Sequence, residues 1–193
     1  MAHSDSLSPS NEELLEQSRM GDHHAFRQLV ERFHGRLLAT AMGMLRSAHD
    51  AEEVVQESFV RFYRAINRFE GRSELGTYLT RITMNESLKV IRKNKRWKFR
   101  LLSRDDPDST VPDPVEVIKI QPMETKERAA CIREAVQTLK PEFRNVVVLR
   151  FLNDYSTAEC ARILQIPAGT VMSRLSRALE KLGPALKHLN EHA

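Results

Sequence analysis

The chain has 193 residues, of which 41% are hydrophobic and 29% charged, and its formal net charge at pH 7 is +4. That length allows one or two compact domains, and the absence of an apolar run of about 18 residues argues against a membrane span. The first ten residues lack the apolar core of an export signal, so we expect a cytoplasmic protein. Cys131 and Cys160 lie in apolar helical contexts, where buried, reduced thiols are expected rather than a disulfide.

Apolar residues recur at helical spacing through most of the chain, which predicts an all-α fold. In chain order, the predicted helices cover 11–20, 25–33, 36–46, 48–67, 77–100, 123–139 and 142–152, with two more between 156 and 182. Residues 103–122 instead carry four prolines and an acidic cluster, a composition typical of an extended linker. We therefore expect two small helical domains, 11–102 and 124–187, joined by a flexible acidic linker over 103–123.

The predicted helix 48–67 separates an apolar face from an acidic one. Its apolar face, which we expect to be core, comprises Val55, Phe59, Phe62 and Ile66. The opposite side carries Asp50, Glu53, Glu57, the exposed Val60 and Arg64, with Gln56 and a second exposed valine, Val54, at its margins. This acidic surface favours a protein partner over DNA, because phosphate would repel its carboxylates. A solvated acidic helix start, which the helix macrodipole also favours, is the alternative.

Aromatic and basic residues are combined between 69 and 104. Residues 89–104 contain eight Lys or Arg and no acid, which suits a polyanionic partner. The aromatic residues Phe69, Tyr78 and Trp97 accompany the cations Arg72, Arg81, Lys93 and Lys95. Aromatic rings beside cations can hold unstacked bases, and the amide of Asn85 could read a base edge. A solvated helix face is the alternative for the basic run alone.

Residues 155–182 predict two helices joined by a tight turn. Ser156 and Glu159 have the spacing of a capping box, and Pro167 separates the first helix from a second that begins near Ala168. The inward positions are expected to be Ala158, Ala161, Ile163 and Leu164 in the first helix and Val171, Leu175, Leu179 and Leu182 in the second. The outer face of the second helix carries Thr170, Ser173 and Arg177, with Arg174 on its flank. A helix-turn-helix with such an outer face reads a DNA major groove, and an ordinary helical hairpin is the alternative.

Four segments in this order resemble regions two and four of a bacterial sigma factor of the extracytoplasmic-function (ECF) class. They are Gly21–Val30, Asp50–Glu57, Phe69–Asn85 and Pro167–Ala178, and the resemblance covers roughly 15–102 and 124–185. It implies a transcription initiation factor that binds core RNA polymerase, recognises the −10 and −35 promoter elements and promotes strand opening. A free-standing helix-turn-helix regulator is the runner-up, although it would leave the acidic and the aromatic–basic surfaces without a role.

The resemblance also implies roles for individual residues. Docking on the β′ clamp helices would use Asp50, Glu53, Gln56 and Glu57, while the C-terminal domain would meet the β flap. The −10 element would be bound by Phe69, Arg72, Tyr78, Arg81, Asn85, Lys93 and Lys95, with the loop 69–76 capturing a flipped base. The −35 element would meet Thr170, Ser173, Arg174 and Arg177.

No catalytic, metal or cofactor site is expected, because the family opens promoters with binding energy alone. The seven His and two Cys of the chain show no ligand spacing, and no motif pairs catalytic groups or would take a small-molecule substrate. The resemblance further implies an anti-sigma factor, membrane-linked by the habit of the family, that wraps between the two domains. Because the linker should not fix the domains, we expect the inward surfaces of 124–185 to be exposed in the free chain.

Overall fold

A computed structural model describes residues 9–102 and 125–190, and every regular element in these two ranges is helical. The α-helices are α1 (Asn11–Arg19), α2 (His23–Met44), α3 (Ala48–Ala65), α4 (Leu75–Leu102), α5 (Thr125–Thr138), α6 (Pro141–Val147), α7 (Thr157–Leu164) and α8 (Ala168–Asn190). A 3-10 turn, Ile66–Arg68, follows α3, and a π-helical turn, Val148–Leu152, follows α6. The all-α prediction is confirmed, whereas the linker predicted over 103–123 lies outside the described residues. Within the described ranges, no helix has the length and apolarity needed to cross a bilayer.

The helix starts follow from side chains that bond the first free backbone N–H groups. Ser156 and Glu159 form the predicted capping box at α7, and Ser10 forms the same motif with Glu13 at α1. Asp22 and Ser47 accept hydrogen bonds from the first turns of α2 and α3. Each such cap contributes about 0.5–2 kcal/mol to stability, so the sequence itself sets where these helices begin.

Helix α2 is one element rather than the two that we predicted over 25–33 and 36–46. Gly35 lies at an exposed position of the helix, where a glycine costs only about 0.5–1 kcal/mol relative to alanine. The helical turns on either side of Gly35 contain Leu29, Leu37 and Ala41, which are almost completely buried. Each large apolar side chain that is buried contributes about 1.5–3 kcal/mol, so burial outweighs the cost of the glycine.

The N-terminal helices α1–α4 pack around a core that is centred on the fully buried Phe62. The Phe62 ring lies 6.0 Å from Phe26 on α2 and 6.2 Å from Tyr78 on α4. The predicted apolar face of α3 is buried throughout, including Val55, Phe59 and Ile66. Val54 is also buried, so the prediction that it is exposed was wrong, while Val60 is exposed as expected.

The C-terminal helices α5–α8 enclose a second group of buried side chains. These include Val146, Leu149, Cys160, Ile163, Val171, Ala178 and Leu182. Two expected core positions are wrong, because Ala158 is exposed and Leu179 retains 42% of its accessible surface. Cys160 takes the inward position on α7 instead of Ala158, and burial raises the pKa of its thiol to about 11. Cys160 therefore stays protonated near neutral pH, as expected for an inert core thiol.

The two helical groups pack directly against each other, and buried polar contacts join them. The hydroxyl of Tyr155 lies 2.8 Å from that of Thr80 on α4 and donates to the carbonyl of Gly76 at 3.4 Å. Asn153 donates from Nδ2 to the Thr40 hydroxyl at 2.9 Å. The Arg36 guanidinium lies 4.5 Å from the centre of the Tyr155 ring. Burial raises the pKa of the Tyr155 phenol, which therefore keeps the proton that it shares in these contacts.

The C-terminal group also caps the end of α2. Gln137 donates from Nε2 to the carbonyls of Met42, Gly43 and Leu45 at 3.2, 2.8 and 3.1 Å. Arg144 donates from Nη1 to the carbonyl of Met44 at 2.6 Å. Burial, and then the nearby charge of Arg46, lower the pKa of Arg144 to about 10, so the guanidinium is still charged at neutral pH. These donors satisfy the carbonyls that a helix leaves free at its C-terminal end.

The expectation that the inward surfaces of 124–185 are exposed is therefore wrong. That inference came from the composition of the linker, which does not report the contacts that the helices make with each other. Val148 and Leu149 are fully buried, and Gly43 approaches so closely that an added Cβ would lie 2.8 Å from Val148 Cγ2. The interface between the two helical groups therefore combines buried apolar side chains with buried hydrogen bonds.

Candidate nucleic-acid and protein interfaces

A groove of about 590 Å³ runs between α3 and α4. We call it the Asn85 groove, and its lining residues are Arg61, Arg64, Ala65, Tyr78, Ile82, Asn85, Glu86, Leu88, Lys89 and Arg92. The amide of Asn85 is exposed, and the half-buried ring of Tyr78 lies two turns earlier on the same face of α4. The groove thus combines one exposed amide, one aromatic ring and several cations.

The charge of the Asn85 groove is positive although it contains one buried acid. Glu86 is 8% exposed and pairs with Arg61 Nε at 3.0 Å and Lys89 Nζ at 2.9 Å. Arg64 and Arg92 supply two further cations, so four cations surround a single carboxylate. A concave surface with this excess of positive charge attracts a polyanion.

The loop before α4 is held in place by its own aromatic residue and by α1. Phe69 is buried, with its ring 4.8 Å from that of Tyr78. Arg19 donates to the carbonyls of Ile66, at 3.2 Å, and of Phe69. Gly71 adopts a φ of +69°, in the region that favours glycine. In this structure the Phe69 ring supports the loop and presents no face to a base.

The other predicted −10 residues occupy different surroundings. Arg72 lies exposed on the loop and forms an ion pair with Glu70 at 2.5 Å. Arg81 is half-buried on α4 and lies outside the groove lining. Lys93 and Lys95 are exposed on the C-terminal part of α4. The structure therefore brings Tyr78 and Asn85 into one groove but leaves the remaining residues around it.

The C-terminal part of α4 forms a second groove, also of about 590 Å³. We call it the Phe99 groove, and it is lined by Arg92, Lys95, Arg96, Phe99 and Arg100. Phe99 retains 73% of its accessible surface and Trp97 retains 60%. The two grooves share Arg92, so a continuous cationic surface extends along α4.

The outer face of α8 carries the four residues that we predicted to read the −35 element. Ser173 and Arg177 are exposed, whereas Thr170 and Arg174 are half-buried. The Ser173 hydroxyl donates to the Thr170 carbonyl at 3.1 Å, which fixes its direction in the absence of a partner. Gln165 adopts a φ of +55° after α7 and so permits the tight turn into α8. Ala168, Gly169, Met172 and Ser173 are exposed at the start of α8, and a major groove could reach this part of the helix.

The acidic side of α3 is exposed in part. Glu53 and Gln56 are exposed, and Glu53 lies 3.3 Å from the imidazole of His49. Asp50 is half-buried in the first turn, and Glu57 is engaged with Arg61 Nε at 2.7 Å. Glu53 and Gln56 are therefore the accessible centre of this face.

Sequence reasoning missed the contribution of α3 to the Asn85 groove. Arg64 was assigned to the acidic face, and Arg61 was not singled out. The spacing of Glu57 and Arg61 marks a helical ion pair, but only the packing of α3 against α4 brings Arg61 beside Glu86. In the described part of the chain, no group of three or more His, Cys, Asp or Glu side chains is placed to hold a metal ion.

The chain combines a helix-turn-helix in its C-terminal helices with a separate cationic groove in its N-terminal helices. Two family models match it: "Sigma-70 region 2" matches residues 29–97 and "Sigma-70, region 4" matches residues 129–182. The chain belongs to the ECF class of the sigma-70 family. It is accordingly a transcription initiation factor that recognises promoters.

Relatives match over nearly the full chain. The Mycobacterium tuberculosis ECF RNA polymerase sigma factor SigM is 31% identical over 181 residues, which cover 94% of this chain and 87% of SigM. The Pseudomonas aeruginosa RNA polymerase sigma-H factor is 29% identical over 191 residues, with 95% and 97% covered. Among solved structures, CnrH in complex with the cytosolic domain of CnrY has a TM-score of 0.64 and 26% identity, covering 91% of this chain and 96% of that one.

Proposed function

We propose that residues 11–102 bind core polymerase and the −10 element, that 103–123 link the domains, and that 124–187 bind the −35 element. One observation carries this division: the exposed amide of Asn85 and the exposed guanidinium of Arg177 lie on separate helices, α4 and α8. Each lies on a surface with excess positive charge or exposed hydrogen-bonding groups. Two DNA surfaces on one chain suit a protein that contacts two separated promoter elements.

The −10 element is read in the Asn85 groove. An extruded base of the non-template strand stacks beside Tyr78, and the Asn85 amide bonds its edge. Arg72 and Arg81 neutralise neighbouring phosphates, and Lys93 and Lys95 extend that contact along α4. Phe69 acts from beneath, because its buried ring holds Tyr78 and the loop 69–76 in position.

The −35 element is read by the outer face of α8 in the major groove. Arg177 and Arg174 have the fork geometry that bonds the two acceptors of guanine, and Thr170 and Ser173 bond bases or phosphates. Both hydroxyls lie in the first two turns of α8, where a recognition helix approaches the base edges.

Core polymerase is bound through the acidic face of α3. Asp50, Glu53, Gln56 and Glu57 dock on the β′ clamp helices, with the exposed Glu53 and Gln56 at the centre, and the C-terminal helices dock on the β flap. Glu53 and Gln56 lie outside the lining of the Asn85 groove, which supports simultaneous binding of polymerase and promoter.

Regulation by an anti-sigma factor follows from the same surfaces. CnrH is held in complex with the cytosolic domain of CnrY, and we propose a comparable membrane-linked inhibitor for this chain. The closed packing of the two helical groups leaves the α3 face accessible, with Val60 and Tyr63 each 42% exposed. An inhibitor that covers this face excludes polymerase without having to separate the two groups.

Transcription in vitro tests the proposal. The purified chain and core polymerase are mixed with a promoter library, and transcript start sites are mapped against a reaction that lacks the chain. We expect transcripts that require both components and share −35 and −10 sequences. Tight, sequence-specific DNA binding by the chain alone, with no effect on transcription, would contradict it.

A further inference from the structure

The C-terminal part of α4 extends the Asn85 groove in one direction. At 100° per residue, Arg92, Arg96 and Phe99 lie within about 40° of Asn85 around the helix axis. Asn85 and Phe99 are separated by fourteen residues, or about 21 Å along the axis. One strand of stacked DNA covers this distance in about six nucleotides, at 3.4 Å each.

The chemistry of this extension differs from that of an ordinary solvated helix. Phe99 retains 73% of its accessible surface. It is flanked by Arg92, Lys95, Arg96 and Arg100. No acid occurs in the sequence 89–104. An aromatic ring among cations matches the alternation of bases and phosphates in a single strand.

We propose that the Phe99 groove binds the single-stranded promoter DNA that continues from the base read at Asn85, with Phe99 stacking on a base. Arg92, shared by both grooves, lies between the two base contacts and takes an intervening phosphate. The inference rests on the proposed function, because it assigns the DNA beyond the base at Asn85. Stacking tolerates every base, so this contact adds affinity and length to the site but little sequence preference.

The test compares binding of holoenzyme to three labelled non-template oligonucleotides by fluorescence anisotropy. The core probe carries the −10 sequence that the holoenzyme selects from a randomised pool, and the other two extend it by about six nucleotides on the 5′ or the 3′ side. We expect one extension to raise affinity. Phe99→Ala should abolish that gain, a loss of about 5- to 150-fold, and leave binding to the core probe unchanged.

Two variants serve as controls for general effects on the C-terminal part of α4. Trp97→Ala removes a similarly exposed ring about 120° from Asn85 around α4 and should keep the gain. Phe99→Tyr keeps a stacking ring and should keep it as well. Equal gains in Phe99→Ala and wild type, no gain from either extension, or weaker binding of Phe99→Ala to core polymerase itself would each overturn the inference. Failure of wild-type holoenzyme to select or bind any −10 strand would instead count against the proposed function.

Discussion

The hydroxyl of Tyr155, one residue before the cap of α7, lies 2.8 Å from the hydroxyl of Thr80 in the second turn of α4. This contact joins the element that precedes the helix-turn-helix to the helix that carries Asn85. Thr80 is fully buried and Tyr155 is 3% exposed, so neither hydroxyl can exchange its partner for water while the two groups stay packed.

Tyr155→Phe should weaken the packing of the two helical groups. The change removes the hydrogen bond with Thr80 but keeps the ring under Arg36. We therefore expect the free energy of unfolding to fall by about 0.5–1.5 kcal/mol. Hydrogen exchange of amides near 76–80 and 153–157 should become faster. Tyr63→Phe, at an exposed position of α3, is the control and should leave these amides unchanged.

Alanine at Gly43 and at Gly35 should have opposite effects, although both glycines lie in α2. A Cβ at Gly43 would lie 2.8 Å from Val148 Cγ2 and 2.9 Å from Leu152 Cδ1, and such overpacking costs about 1–3 kcal/mol. A Cβ at Gly35 meets nothing within 4 Å, so the helix should gain up to about 1 kcal/mol. Thermal unfolding of the two variants measures both signs, and equal shifts would contradict the interface.

Reversing charge at the centre of the α3 face should weaken polymerase binding. We expect Glu53→Lys with Gln56→Lys to raise the Kd for core polymerase at least tenfold, because like charges at a complementary interface repel. Glu57 is left unchanged, since its reversal would also break the ion pair with Arg61. Gln28→Lys with Glu31→Lys, at two exposed positions of α2, is the charge-matched control, and unchanged affinity in the Glu53 and Gln56 double variant would refute this docking face.

Arg177→Ala and Lys93→Ala should affect promoter binding differently. Loss of a bidentate base contact costs about 1–3 kcal/mol of discrimination at one −35 position, so Arg177→Ala should change the ranking of promoters. Lys93→Ala should weaken binding to all promoters by a similar factor and reduce the slope of log affinity against log salt concentration by about one. Transcription from a promoter set at several salt concentrations separates the two, and an unchanged ranking in Arg177→Ala would mean that α8 is not the reading helix.

Removal of the α7 cap should destabilise the helix-turn-helix in a pH-dependent way. The Ser156 side chain and then its backbone N–H lower the pKa of Glu159 below its ordinary 4.5. The stabilisation that the ionised Glu159 carboxylate gives is therefore present above about pH 4.5. It is lost as the pH falls through the lower pKa that Glu159 has in the folded protein. Ser156→Ala should lower the free energy of unfolding by about 0.5–2 kcal/mol at neutral pH and by less at acid pH. Urea unfolding at neutral pH and at acid pH measures the two values.

The local features of the fold could be predicted from the sequence. Capping side chains such as Ser156 and the apolar spacing of α3 are written in neighbouring residues, and both predictions are confirmed. The continuity of α2 through Gly35 was missed, because a single glycine is a weak breaker when the turns on both sides are buried. The packing of the two helical groups was missed for another reason: Tyr155 and Thr80 are 75 residues apart, and no local pattern pairs them.

The candidate sites divide in the same way. Asn85 and Tyr78 share a groove because both were placed on one helix face, which spacing alone predicts. The burial of Phe69 depends on Phe62 and Tyr78 together, and the positions of Arg61 and Arg64 depend on how α3 crosses α4. These are relations between helices, and they appear only once the helices are packed.

When the two helical groups pack together, the side-chain amide of Gln137 completes the hydrogen bonding at the end of α2. Its two protons serve three carbonyls at the end of α2, and Arg144 serves a fourth. When the two groups separate, that end of α2 must be rehydrated or find other donors, and its last turn should fray. An opened chain thus offers four carbonyl acceptors, at Met42, Gly43, Met44 and Leu45, to any protein that brings its own Gln or Arg. A partner that supplied those donors first would complete the helix itself, and the chain could then close again only after that partner had left.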